Sequence, residues 1–255
     1  MADTGAPWNI PYVEPSDLVR DYPAADEAQA NAIAAALSAA VPANGFLYAG
    51  TRYYEESGSF LKADPFGTGD IGVRAIKVRM VGGGGGGGRV SGGRAAGGGG
   101  ANYAESFITD MASVSPFAPV TVGSGGAGGN VSPQDGADGG TSSFDAPNPE
   151  QVVATGGGGG GSSQFGEGGS QGLPGSIGQF ISIGGGSGGA GGNNDRPSAA
   201  GGSSLLGGGA REGRSSNNNV TGSAGTQYGG GGGGAKDNRS GGSGADGIVI
   251  IDVFV

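Results

Sequence analysis

Seven consecutive glycines, at 82–88, follow directly on an apolar, alternating segment at 71–81. Further glycine runs stand at 97–100, 156–161 and 229–234. Few folds accept such runs. Glycine loses the most backbone entropy on folding and has no side chain to bury. One outcome is disorder: 65 Gly and 13 Pro among 255 residues is a composition that usually marks low complexity. The other is a bundle of polyglycine II helices. These have polyproline II geometry, with three residues per turn, about 3.1 Å rise and no hydrogen bonds inside one helix. Every N–H and C=O then points outward. Without a Cβ, neighbouring helices approach closely enough to pair those groups. A seven-glycine run would be a rod of roughly 22 Å. A strict G-X-Y period is absent, which excludes collagen.

The segments between the runs favour the ordered outcome. Residues 116–122 read as a strand that enters a glycine block at 123–129. Thr141-Ser142-Ser143-Phe144 precedes Val152-Val153-Ala154-Thr155 and the six-glycine run. Residues 107–114 and 177–183 read as strands, with 103–107 a strand or a loop. The run Ile248-Val249-Ile250-Ile251-Asp252-Val253-Phe254-Val255 is a strand that demands burial. In the segment before the first run, Ile71, Val73, Ala75, Lys77, Arg79 and Val81 fall on one face, and Gly72, Arg74, Ile76, Val78 and Met80 on the other. Both faces are mostly apolar, so at least one is covered. The expected fold is mainly β with a polyglycine II bundle, a short N-terminal α-helix and an extended anchor peptide.

Apolar residues make up 35%, below the usual globular share, so backbone hydrogen bonds must carry more of the interior than side-chain burial. With no cysteine and no histidine, disulfides, thiolate or imidazole metal sites and a Ser-His-Asp triad are excluded. No signal peptide is expected at the start, and no apolar run approaches the length that spans a membrane. Net charge is −9, with the acidity concentrated in residues 1–70. That balance does not suit nucleic acid, which needs a basic face.

Residues 1–23 are extended and punctuated by proline, since Pro7, Pro11 and Pro15 forbid a helix. Trp8, Ile10, Tyr12 and Val13 form an apolar peptide suited to docking on something larger. Residues 24–41 read as a helix, with Asp26 and Glu27 at its N-terminal end and Pro42 after it. Ile33 and Leu37 lie on a narrow seam with Ala30 and Ala40, which suits packing against copies of itself or a neighbour as well as an ordinary helix on its own domain. Residues 42–70 read as short strands or a connector. The expected domains are therefore 1–23, 24–70 and 71–255.

The loops between the runs carry the candidate binding residues. Phe165 is one aromatic. Asn193, Asn194, Asp195 and Arg196 form one polar loop, and Asn217, Asn218 and Asn219 another. Tyr228, Asn238 and Arg239 flank the last long run. Aromatics beside amides and carboxylates suit sugars, but Asn and Asp are also simply good turn residues. Other motifs fail. Residues 185–189 match G-x-S-x-G without a histidine or a following helix. Residues 241–249 fit one copy of a calcium nonapeptide, and one copy cannot build stacked sites. Glu150, Glu167 and Glu212 carry no pattern that supports glycoside hydrolysis. No cofactor, metal or catalytic role is expected.

A strand, then 121–129, then Gly139-Gly140-Thr141-Ser142-Ser143-Phe144, then 154–161, then Gly244-Ala245-Asp246-Gly247-Ile248-Val249-Ile250-Ile251, resembles in order the glycine-rich domains of bacteriophage tail-fibre and tip adhesins. The resemblance spans roughly 70–255. It implies glycine helices stacked in a sandwich, with adhesive loops at its distal end. Residues 1–23 resemble, more loosely, the virion-anchoring N-termini of structural proteins from phages of actinobacteria. Together these imply a virion protein attached to other virion proteins through 1–23, assembled as a homotrimer, binding bacterial surface polysaccharide and making no membrane insertion or nucleic-acid contact. The alternative is a non-adhesive capsid or tail decoration protein on the same fold.

Overall fold

In the computed structural model, the residues described are 2–3, 11–12, 31–32, 46–132, 134–144, 152–163, 181–193, 197–211 and 219–255. The chain divides into two units, Met1–Leu47 and Tyr48–Val255. In the first, strand β1 (Ala2–Asp3) pairs antiparallel with β2 (Pro11–Tyr12). Asn31 and Ala32 are helical, and the rest of the expected helix, with Ile33 and Leu37, lies outside the described residues. So do Trp8, Ile10 and Val13.

Among the described residues, the second unit holds nine strands: β3 (Tyr48–Tyr54), β4 (Gly58–Leu61), β5 (Ala75–Val81), β6 (Tyr103–Ile108), β7 (Phe117–Thr121), β8 (Ser142–Phe144), β9 (Val152–Ala154), β10 (Ile181–Ile183) and β11 (Ile248–Phe254). They form two antiparallel sheets, ordered β10-β6-β5-β11-β3 and β4-β7-β8-β9. Alternation puts one side of each sheet into a shared core. Ile76, Val78, Met80, Ala104, Ile108, Val249, Ile251 and Val253 from the larger sheet meet Phe60, Ala118, Val120, Phe144, Val152 and Ala154 from the smaller. Phe60 and Phe144 touch edge to face at 6.0 Å.

Three expectations are corrected here. Of the two readings of 42–70, the short strands are present: β3 and β4 each close an edge of a sheet, and the second unit begins at Tyr48. The strand expected at 107–114 is β6, at Tyr103–Ile108, because Asp110 takes the amide of Ala112 on its carboxylate (3.0 Å) and the amide of Ser113 on its carbonyl (3.2 Å), which turns the chain. Residues 71–74 precede the strand. Gly72 has φ 64, a left-handed conformation that breaks the alternation, and Ile71 and Val73 thereby pack against the same core as Ile76 and Val78. Tyr228 does not stand with the polar loops, as shown below.

Among the described residues, the register places the glycine segments that adjoin the strands at one end of the sheets. Val81 pairs with both Tyr103 and Ile248, and Tyr103 with Ile183. Thr121 pairs with Ser143, and Ser142 with Ala154. Each of these residues is the strand end, or its neighbour, where a glycine segment begins or finishes. The two sheets are tied there by Ser142, which is fully buried. Its hydroxyl donates to the Val81 carbonyl (2.7 Å) and accepts from the Gly123 amide (3.0 Å).

Beyond the sheets the glycine segments pair backbone to backbone with a period of three. The amides of Gly82, Gly85 and Gly88 donate to the carbonyls of Asn102, Gly99 and Ala96. Those of Gly83, Gly86 and Arg89 donate to Gly140, Ala137 and Gln134, and those of Gly84 and Gly87 to Ala245 and Gly242. The carbonyls of the same run accept from three other segments: Gly83 and Gly86 from Gly157 and Gly160, Gly84 and Gly87 from Gly126 and Gly129, Gly85 and Gly88 from Gly232 and Ala235. One run therefore has six hydrogen-bonded neighbours. Donation goes to segments running opposite, acceptance comes from segments running alongside, as the residue numbers fall or rise together.

Close approach is what requires glycine here. A Cβ built on Gly84, Gly85 or Gly86 lies closer than 3.0 Å to the carbonyls of Gly230, Gly158 and Ala127 respectively. At the periphery the requirement is lifted at every third residue, while Gly125 and Gly128 still have a carbonyl closer than 3.0 Å to a built Cβ. Gly123, Gly126 and Gly129 are buried, while Ser124, Ala127 and Asn130 are exposed. Some outward amides find carboxylates instead of a seventh segment: Gly125 donates to Asp246 (2.7 Å) and Gly159 to Asp138 (2.7 Å).

Candidate functional site

Because successive segments alternate in direction, the turns joining them fall at two ends. The turns near the sheets are those at 204–207 and 226–229. Leu206 and Tyr228 pack there on Val81, Ala101, Tyr103 and Ile248. The Tyr228 hydroxyl also donates to Glu55, and that hydrogen bond raises the phenol above its ordinary pKa. Tyr228 is therefore a packing residue at the sheet end, remote from the loops with which it was grouped. Its position eight residues before Lys236 gave no sign of this, since direction along the array decides the end.

The other described turns of the array lie at the far end. Residues 89–94 join the first two long runs, and 236–240 lead from the last run back toward β11. The two turns interlock. Asn238 donates its amide to the Val90 carbonyl (2.8 Å), and Asp237 to that of Gly93 (3.1 Å). The Asp237 carboxylate accepts the Gly93 amide (3.1 Å), and the Arg89 guanidinium reaches the Asn238 carbonyl (3.3 Å). Asp237 and Asn238 have φ of 48 and 64, a left-handed pair that Asp and Asn tolerate better than other side chains. To one side, Arg94 exchanges both backbone bonds with Gly192 and donates from its guanidinium to the Pro197 carbonyl (3.1 Å). That brings exposed Asn193 to the same end. To the other, Lys236 donates its amide to Val220 (2.8 Å), which carries Asn219 in, with φ 78. Ser240 donates to the Asn130 side chain (3.3 Å).

Of the residues singled out from the sequence, Asn193, Asn219, Asn238 and Arg239 thus share one polar cap and all four are exposed. Phe165, Asn194, Asp195, Arg196, Asn217 and Asn218 lie outside the described residues. The sequence reading missed Arg89, Arg94, Asn130 and Lys236 as cap residues. Arg89 and Arg94 stand immediately after one long glycine-rich run and before the next, and that flanking position is the signal that marks them. Among the described residues, no cluster of acidic side chains is placed to hold a metal ion and no helix is long and apolar enough to cross a membrane.

A second polar group lies on the outer face of the larger sheet. Arg79 binds Asp252 with two bonds (2.8 and 3.0 Å), Lys77 pairs with Glu105 (2.8 Å), and the Tyr103 hydroxyl donates to Glu105 (2.6 Å). Burial pushes the Glu105 carboxyl up, but hydrogen bonds from Lys77 and Tyr103, with the Lys77 and Arg79 charges, outweigh it and hold the carboxyl below its ordinary range. Burial and Glu105 push the Tyr103 hydroxyl up. Each charge is spent on a partner across the strands, which reads as sheet cohesion rather than chemistry.

No curated protein matches the sequence. The profile of a glycine-rich domain matches residues 66–254, most of the chain and nearly all of the second unit. The chain belongs to the glycine-rich domain family.

Proposed function

We propose that this is a phage virion protein, a tail-fibre or tip adhesin, whose glycine array is a polyglycine II bundle presenting host-binding loops. Three residues per repeat, no bonding inside a run and six neighbours around one run are the properties of packed polyglycine II. The observation that carries the functional reading is the cap. Polar, exposed turns gather at the end farthest from the sheets, on a scaffold whose backbone groups are satisfied by neighbouring segments. Such a scaffold lets loops vary without touching the core. The order of its motifs resembles tail-fibre and tip domains. The reading includes attachment to other virion proteins through 1–23, a homotrimer, bacterial surface polysaccharide as ligand, location on the particle surface and no enzymatic role. Modest affinity per cap would be raised by multivalency.

The test is binding of the fluorescently labelled full chain to a panel of bacteria. A variant with 193–196, 217–219 and 238–239 replaced by Gly and Ser runs beside it. Binding to a subset of strains, lost in the variant while the melting curve stays in place, is expected. A folded protein that binds no strain even when clustered would instead favour the decoration protein.

A further inference from the structure

The cap is basic although the chain is acidic. Arg89, Arg94, Lys236 and Arg239 are held together by the interlocked turns, and among the described residues none of them forms an ion pair. Asp237 is the one carboxylate of those two turns, and one of its oxygens is occupied by the Gly93 amide. Asp135, next to Gln134 whose carbonyl takes the Arg89 amide, adds a second carboxylate, so among these described residues two positive charges are left over at this end of a protein of net charge −9. Two of the cations are not freely solvated. Lys236 is 3% exposed as a residue and forms no ion pair among the described residues. Arg94 Nε is buried without one. A buried cation without a counter-charge costs free energy that an incoming anion recovers. The sheet provides the contrast, since Lys77 and Arg79 there are each matched by a carboxylate.

We infer that the cap binds an anionic group carried on a polymer, a phosphodiester or a carboxylate. Guanidinium groups suit either, and bind phosphate and carboxylate oxygens through two parallel donors. The first run, roughly 22 Å long if extended in polyproline II geometry, separates the cap from the sheets by more than a Debye length of about 8 Å at physiological salt. The carboxylates of the larger sheet, Glu105 and Asp252, are therefore screened from the site. This deepens the adhesin reading by naming the ligand's chemistry, and it rests on that reading only for its biological setting.

The experiment measures binding of the full chain to three immobilised probes: a glycerol-phosphate oligomer, polygalacturonate and neutral dextran. The expected result is retention on one or both anionic probes and none on dextran, weakening at least tenfold from 50 to 300 mM NaCl. The double variant Arg89→Gln/Arg239→Gln, checked for an unchanged melting curve, loses at least tenfold, whereas Arg74→Gln binds as the unaltered chain does. The phosphate and carboxylate probes identify which anion is preferred. Equal behaviour on dextran, or full retention by the double variant, overturns the inference. Cells bound without either anionic probe would overturn it and leave adhesion standing. Probes bound without any cell would do the reverse.

Discussion

Replacing Gly85 by alanine tests the account of why the runs are glycine. The added methyl points at the Gly158 carbonyl and comes closer than 3.0 Å to its carbon and oxygen, both backbone atoms that cannot rotate away. Relief requires residues 156–161 to move off the first run. That segment is held to the run by the Gly157 amide on Gly83 (2.9 Å) and the Gly160 amide on Gly86 (2.8 Å). Leaving two buried backbone pairs broken costs about 1–3 kcal/mol each. Alanine recovers roughly 0.4–1 kcal/mol by stiffening the unfolded chain. The net loss is about 2–5 kcal/mol, or a fall in Tm of about 5–15 °C for a domain of this size. Ala127→Ser, on an exposed position of the period-three pattern, stays within about 0.5 kcal/mol. Calorimetry and urea unfolding of both variants make the comparison. A Gly85→Ala protein that melts with the unaltered chain would refute the close-packed arrangement.

Ser142→Ala removes the hydroxyl that joins Val81 and Gly123, and about 2–4 kcal/mol is expected to be lost in urea titration. Phe144→Ala empties a fully buried site against Phe60 and is expected to cost about 3–5 kcal/mol by the same measurement. Glu105 sets an acid limb. Its carboxyl is lowered in the fold from an unfolded value of 4.5, so its contribution is present above that pH and lost as pH falls through the folded value. Tm measured from pH 6 to pH 3 falls on the acid side, and Glu105→Gln flattens that fall. Tyr103 has the opposite sign: its hydroxyl is raised from 10.0, so its stabilisation is present below pH 10 and declines as pH rises beyond it. Tyr103→Phe removes that alkaline decline.

Much of the β framework was readable because apolar runs of strand length stood between glycine blocks. The strands near 75–81, 117–121 and 248–254 lie where pattern placed them. The misplacements share a cause. β3 contains Gly50 and Thr51 and lies in a stretch that reads equally as short strands or a connector; what settles it is pairing with β11, which lies about two hundred residues on. The face change at Gly72 depends on a single positive φ, invisible to an alternation count. In the cap, Asn and Asp were legible as turn residues, but which turns share an end follows from how many segments intervene. Tyr228 and Asn238 are ten residues apart and lie at opposite ends of one glycine segment.

The sequence by itself determined that this chain is mainly β and that its glycine runs can host no side chain, since composition and alternation are local properties. It also placed the excess of acidic residues in 1–70. Tertiary structure alone decided that seven glycines would have six neighbours, that Ser142 would join two sheets, and that four cations would stand at one end with no ion pair among the described residues. The physical reason is that backbone amides and carbonyls are identical at every glycine. No residue in a run names its partner, and only the packed register of all the segments together assigns it.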